Sequence, residues 1–467
     1  MKLIYGVKDK PKFGQLIVFA IQQLLAIMAA TLVVPVIVGH GMSSAAALFG
    51  AGVGTIVYQL FTKFKSPVFL GSSFAFIGSM VAAFAGATTA EVVNQGLGFL
   101  GLIIGALGAG LVYVIIALVV KFAGVKWISK LMPTVVIGPT VALIGLSLSS
   151  AAINDVFSYG ESVTFGTSSY FKMTTNIWIS LICALVTMFT IILCSVYGKK
   201  MAKLIPFIIG ILAGYVVGLI FTFIGIATGN EALQIINFAP FKALVEGGVS
   251  VKTFISVPEF TFITAFDGFK DLNASYIITV LIAYIPVAFV VFAEHIADHK
   301  NLSSIIESDL LEDPGLHRTL LGDGVGSILG AFFGGCPNTT YGESVGCVAI
   351  TKNASVITIT VAAIMTMIVS FISPFIAFLN SIPGCIMGGV CITLYGFIAV
   401  SGLKMIQKVD LEQNANLFTV SAILISGIGG MAMAIPLGGD TSVYLTGTAC
   451  SLILGIIVNL VLNKARK

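Results

Sequence analysis

SPVFLGSSFAF (Ser66 to Phe76) and GGCPNTTYGE (Gly334 to Glu343) interrupt two apolar runs with Pro and Gly amid small hydroxyl residues. Pro removes a backbone donor and Gly loosens the chain, so neither stretch begins as regular helix. At membrane depth, unwound backbone is tolerated only where protein buries it or where it lines a cavity. One such break reads equally well as an interfacial loop before an ordinary helix. Two in corresponding places point to a transporter site.

That a membrane is the solvent follows from composition. Of 467 residues, 57% are hydrophobic and 9% charged, against about 25% charged in a soluble domain. A net charge of +4 without a block of like charges offers nucleic acid no electrostatic footprint. The seven cysteines lie in or beside apolar stretches without CxxC spacing and read as small free thiols; no metal centre and no cofactor are expected. Lys2, Lys8, Lys10 and Lys12 precede an apolar run that lacks a small-residue cleavage site. This predicts a cytoplasmic leader and a retained first span.

Apolar runs near 15–39, 45–62, 95–120, 133–153, 176–196, 204–227, 275–293, 355–379, 383–400, 415–433 and 443–463 approach the length that crosses a bilayer. With the shorter or interrupted runs near 67–87, 317–335 and 341–352, fourteen spans are predicted. Starting inside, this count puts all Lys and Arg except Lys172, Lys242, Lys252 and Lys270 on the cytoplasmic side, and both termini with them. A polar interval near 228–274 leaves seven spans on each side. An odd number per half gives the halves opposite polarity, as in an inverted repeat. The two broken stretches are then the third span of each half.

Five acids fall in or beside apolar sequence: Glu294, Asp298, Asp323, Glu343 and Asp440. Glu294 and Asp298 share a helix face at i, i+4. An acid held at membrane depth costs several kcal/mol and is kept to bind a proton, a cation or a ligand. The alternative is that Glu294, His295, Asp298 and His299 sit at the cytoplasmic rim and face water; a metal site on the two histidines lacks HExxH order. Asp323, in LGDGVGS, does not fit a phosphate loop and reads as close helix packing, as do Gly101/Gly105 and Gly210/Gly214/Gly218. Asp440 reads as an outer turn without chemistry. Channel filter repeats and HExxH do not occur, which argues against a channel or an intramembrane metalloenzyme.

From Gln22 through GSSFAF at 71–76, AEH at 293–295, DPGLHR at 313–318 and PNTTYGE at 337–343 to Thr351-Lys352, the chain resembles the nucleobase/ascorbate transporters, and among them the bacterial uracil permeases. The resemblance covers nearly the whole chain. It implies an all-α membrane protein of fourteen spans in two inverted repeats, with short extended strands in broken spans 3 and 10. It further implies a core domain over 1–125 and 275–380, a gate domain over 126–230 and 381–467, and an extracytoplasmic loop over 231–274.

The same resemblance implies that Glu294 and Glu343 hydrogen-bond the base and that Phe74 covers its face. Tyr341 and Gly342 would offer strand backbone, and Ala30, Ser73 and Tyr395 would line the site. The implied function is uracil:proton symport across a bacterial cytoplasmic membrane by alternating access, with Glu343, Asp298 and Glu294 coupling the proton; xanthine or another purine base is the alternative. A homodimer is compatible with it. The chain departs from the uracil-permease pattern at Gln23 (usually His), Asp298 (usually His) and Ser344 (usually Asn). The residue types suit the task independently: uracil is flat and neutral with N–H donors and C=O acceptors, which carboxylates and strand amides can satisfy.

Overall fold

The structure is a computed structural model that describes residues 3–89, 92–124, 127, 133–160, 162–165, 168–199, 201–438 and 441–462. Lys2, Lys126, Lys130, Lys200, Asp440, Lys464, Arg466 and Lys467 therefore lie outside the described residues. Each of the fourteen apolar stretches carries α-helix. Eight helices among the described residues are long and apolar enough to cross a bilayer: Phe13–Val38, Ser44–Phe61, Gln95–Ala123, Thr134–Val156, Thr175–Tyr197, Pro206–Thr228, Ala274–Ile306 and Gly384–Ile406. Phe74–Gly86, Val356–Val369, Asn414–Ile428 and Gly447–Leu462 are apolar but shorter.

The helix starts follow local chemistry. Ser43, Asn94 and Asn273 each accept a hydrogen bond from a backbone N–H three residues on, and Pro206 occupies a first-turn position where no donor is needed. Some predicted ends move. The run 275–293 continues as helix to Ile306, because its polar residues are held by protein instead of water. The run 355–379 divides into Val356–Val369 and Ser373–Asn380, with Pro374 restarting the helix. Between Asn414–Ile428 and Gly447–Leu462 the chain forms an antiparallel hairpin, Met433–Gly438 with Thr441–Leu445, so both flanking helices are shorter than predicted. Pro436 and the glycines there disfavour helix.

Two compact units are distinguished. One comprises Leu148–Val257 and Phe371–Phe397. In it Thr175–Tyr197 packs on Pro206–Thr228 at Gly210 and Gly214, where an added Cβ would meet Ile191 and Thr187, as the small-residue spacing predicts.

The other comprises Met1–Ser147, Pro258–Ser370 and Ile398–Lys467. Its site-bearing elements are α1 (Phe13–Val38), α2 (Ser44–Phe61), β1 (Leu70–Ser72), α3 (Ile77–Gly86), α4 (Gln95–Ala123), α5 (Ala274–Ile306), α6 (Leu316–Gly334), β2 (Asn338–Thr340) and α7 (Gly342–Thr351). The broken spans are thus a three-residue strand followed by a helix, in both halves. A glycine seam joins α2 to α6: a Cβ on Gly50 would lie 2.6 Å from the Gly330 carbonyl oxygen, and one on Gly54 would lie 2.9 Å from that of Gly326. The predicted packing role of the LGDGVGS glycines is met in the same way, Gly322 against Tyr58 and Gly324 against Tyr113.

The N-terminal segment straps the far end of α7. The Ile4 and Tyr5 amides donate to the Lys352 carbonyl, and the Ala354 and Val356 amides donate to those of Tyr5 and Val7. Leu3 and Val7 pack on a cluster containing Tyr58, Leu70, Val345 and Val348.

Because backbone faces backbone along the α2/α6 seam, Gly50→Ala cannot be relieved by rotating a side chain. Overpacking of about 1–3 kcal/mol is expected, read as a lower unfolding temperature of the detergent-solubilised protein; an unchanged temperature would contradict the seam.

Candidate functional site

β1 and β2 pair antiparallel, Leu70 with Thr340, Gly71 with Thr339 and Ser72 with Asn338. The ladder is extended by Ser73 N–H to the Pro337 carbonyl (2.9 Å) and Tyr341 N–H to that of Phe69 (3.3 Å). Six fully buried residues therefore satisfy much of their backbone with each other, and side chains hold the remainder. Thr55 Oγ1 on α2 accepts from the Leu70 N–H at 2.9 Å and Ser344 Oγ on α7 accepts from that of Phe69 at 3.1 Å. Asn338 enters the α2/α6 seam over Gly330, where Nδ2 donates to the Gly50 carbonyl at 2.9 Å, and the Ser327 hydroxyl donates to the Asn338 carbonyl.

Around this ladder the compact unit gathers most of the predicted site residues. Glu294 and Asp298 project from α5 at i, i+4, both partly exposed. Glu343 stands in the first turn of α7. Glu294 lies within electrostatic reach of Asp298, Asp323 and Glu343, and Asp298 within reach of Asp323 and Glu343. Asp298 Oδ2 accepts the Thr340 hydroxyl proton at 2.8 Å, which ties α5 to β2. Phe74 opens the single turn Phe74–Phe76 after β1; Phe76 is buried and stacked on Tyr284 (5.4 Å between centroids), whereas Phe74 remains partly exposed. Ser73 and Ala30 are buried, at the end of β1 and within α1.

Two expectations shift. Tyr341 and Gly342 are not strand residues: β2 ends at Thr340, Tyr341 caps α7 and Gly342 is its first residue, because Glu343 in the first turn favours helix there. The Tyr341 hydroxyl donates to the Ser72 carbonyl at 2.7 Å. Tyr395 belongs to the other compact unit, buried on Gly384–Ile406 one turn from Cys391.

The histidines do not face water as the rim alternative has them, since His295 and His299 are both 0% exposed. His295 Nδ1 lies 2.6 Å from Asp323 Oδ2, and His299 Nε2 lies 2.6 Å from the Tyr58 hydroxyl, which also meets Ser66 Oγ at 2.7 Å. Reading the sequence gave these partners no role. The signal was there: an acid within an apolar helix needs a polar partner, and two histidines at i, i+4 supply the face. Two of the departures from the family pattern also meet, because Gln23 Nε2 donates to Ser344 Oγ. α1 is thereby linked to the start of α7.

Comparison with known proteins agrees with this architecture. A model described as "Permease family" matches residues 14–435, and the chain belongs to this family, the nucleobase/ascorbate transporters. It is a multi-pass membrane permease, not an enzyme. The chain is 37% identical to a uracil permease of Bacillus subtilis, covering 100% of this chain and 97% of the relative. It is 35% identical to a uracil permease of Bacillus caldolyticus (99% and 95% covered) and 31% identical to one of Escherichia coli (98% and 93%). Among solved structures, the transmembrane domain of the cyanobacterial bicarbonate transporter BicA superposes with a TM-score of 0.61 at 14% identity, covering 97% of this chain and all of that one. SLC26A9 gives 0.62 at 12% identity, covering 98% and 66%. These two share the fold.

A Cβ on Gly71 would overlap the Tyr341 ring. Gly71→Ala should destabilise the protein by about 1–3 kcal/mol, and Gly71→Ala combined with Tyr341→Ala, which restores the space, should recover part of the loss in thermal unfolding. Additive losses in the double variant would contradict the contact.

Proposed function

We propose that this permease imports uracil together with protons across a bacterial cytoplasmic membrane, by alternating access of a core domain (1–125, 275–380) against a gate domain (126–230, 381–467). In this reading fourteen spans form two inverted repeats of seven, residues 231–274 are extracytoplasmic, both termini are cytoplasmic and the transporter is compatible with a homodimer. The observation that carries the proposal is the gathering of Glu294, Glu343 and Phe74 around paired half-strands in a chain related end to end to uracil permeases. Positive charge collecting on one side supports the topology.

The chemistry runs from the ligand outward. Uracil presents N–H donors that a carboxylate can accept and C=O acceptors that backbone N–H groups can meet, with Phe74 covering a face. Glu294 and Glu343 hold the ring, Gly342 offers backbone beside it, and Ala30 and Ser73 line the site. Because uracil is neutral, uphill uptake needs a coupled cation. Acids within the membrane can carry that cation as a proton. The hydrogen bond that Asp298 accepts from Thr340 supports a role for this acid in reporting protonation to β2. That same acid favours a purine base such as xanthine as the second reading.

Uptake into proteoliposomes should follow an inward pH gradient and ignore sodium, with uracil competing better than xanthine, adenine or thymine. Sodium-dependent uptake indifferent to pH would overturn the coupling. Glu294→Gln should abolish uracil binding, since the amide sets a donor against a ring N–H at a cost of about 1–3 kcal/mol per buried mismatch, whereas Asp298→Asn should bind uracil but lose gradient-driven accumulation. Normal binding by Glu294→Gln would remove it from ligand contact.

Phe74→Ala should weaken uracil binding by roughly 1–3 kcal/mol through lost stacking. An unaltered dissociation constant in the folded variant, by isothermal titration, would place the base elsewhere.

A further inference from the structure

Behind the substrate-facing acids lies a second group of polar side chains that the proposed site does not use. His295 and Asp323 are 0% exposed, and their Nδ1 and Oδ2 are 2.6 Å apart. The opposite ring nitrogen, Nε2, is 2.9 Å from Thr319 Oγ1. The Thr319 hydroxyl proton is already committed to the Leu316 carbonyl at 3.0 Å, so Thr319 accepts and His295 Nε2 carries hydrogen. One further proton then lies in the short contact between Nδ1 and Oδ2. The pair is neutral overall whichever partner holds it.

The surroundings keep that proton with the pair. Tyr58 on α2, Tyr113 on α4, Glu294, Asp298 and His299 on α5, Thr319 on α6 and Glu343 on α7 are the titratable and polar groups that face it or its neighbours. None of these is Lys or Arg. Arg318, the residue before Thr319, turns instead to the Phe61 carbonyl at 3.0 Å. His299 cannot take over as cation without repulsion, because its ring stacks on His295 at 4.0 Å between centroids. Its Nδ1–H donates to the His295 carbonyl at 2.8 Å. Asp323 Oδ1 is buried with no hydrogen-bond partner among the described residues, an arrangement that suits a carboxyl sharing a proton better than a full anion.

We propose that His295 and Asp323 form a second proton-holding station, which must keep or release its one proton in step with Glu294, the adjacent residue on α5. This rests on the proton-coupled reading above. Removing the proton would leave a net negative charge beside Glu294 and Glu343, so the station and the substrate carboxylates cannot all be deprotonated together. A mere structural clamp would make a different prediction, because an amide at 323 can still bond His295, its N–H donating to Nδ1.

The test is Asp323→Asn in proteoliposomes, with uracil binding, uracil counterflow and pH-driven accumulation measured on the same preparation. For one proton per base, an inward step of one pH unit drives roughly tenfold accumulation in the unaltered protein. Asp323→Asn is expected to bind and exchange uracil yet bring the internal and external concentrations only to equality. Accumulation equal to that of the unaltered protein would overturn the station and leave a clamp. If the unaltered protein itself ignores the pH step, the proton-coupled reading fails and the station fails with it. Should Asp323→Asn not fold, His295→Gln, which keeps a hydrogen-bonding amide without a titratable ring, is measured instead with the same expected loss and the same overturning result.

Discussion

Everything in the site-bearing unit depends on how two unwound stretches satisfy their backbone where water is scarce. Each unsatisfied amide or carbonyl at that depth costs several kcal/mol. The chain meets the constraint by pairing β1 with β2 and letting Thr55, Ser344 and Ser327 take groups the ladder leaves over. Neither strand has another strand to turn to, so the two breaks stabilise each other and must lie at one level. The pairing fixes the turn after β1, with Phe74, and the helix after β2, with Glu343, at the two ends of one short ladder.

The glycines extend that logic. Lipid offers helices little hydrophobic drive to associate, so close approach of backbones has to supply the contact energy. Along α2 and α6 the missing side chains admit Asn338, whose amide reaches the Gly50 carbonyl and anchors β2 in the seam. Packing and site geometry are here one arrangement, since the space that lets two helices meet is also the space that receives the strand's anchor.

How far the sequence announces this differs by feature. Pro67, Gly71, Pro337 and the neighbouring hydroxyl residues mark both breaks, because helix is locally disfavoured there whatever the surroundings. The pairing register is not legible, since it is set by residues such as Thr55 and Asn338 that look ordinary in sequence. The strand ends two residues earlier than expected, at Thr340, for a similar reason: PNTTYGE has no apolar period, and only the first-turn preference of Glu343 separates its two parts. Asp323 is the clearest omission. Its flanking glycines explain packing so well that they hide the acid between them, and its partner His295 is 28 residues away. The link between Gln23 and Ser344 was equally hidden, although each residue stands out alone.

The long separation of the partners has a consequence for biosynthesis. Tyr341 and Ser72, joined across the ladder, are 269 residues apart in the chain. At roughly 5–20 residues per second of synthesis, the first half-strand waits about 15–50 s for its partner. The N-terminal strap waits longer still, because Ile4 and Tyr5 bond to Lys352. Throughout that interval the first half holds backbone groups that only the second half can satisfy. The ribosome therefore delivers a chain whose first seven apolar stretches are in place well before the ladder can close, and the strap fastens only after both strands have been made.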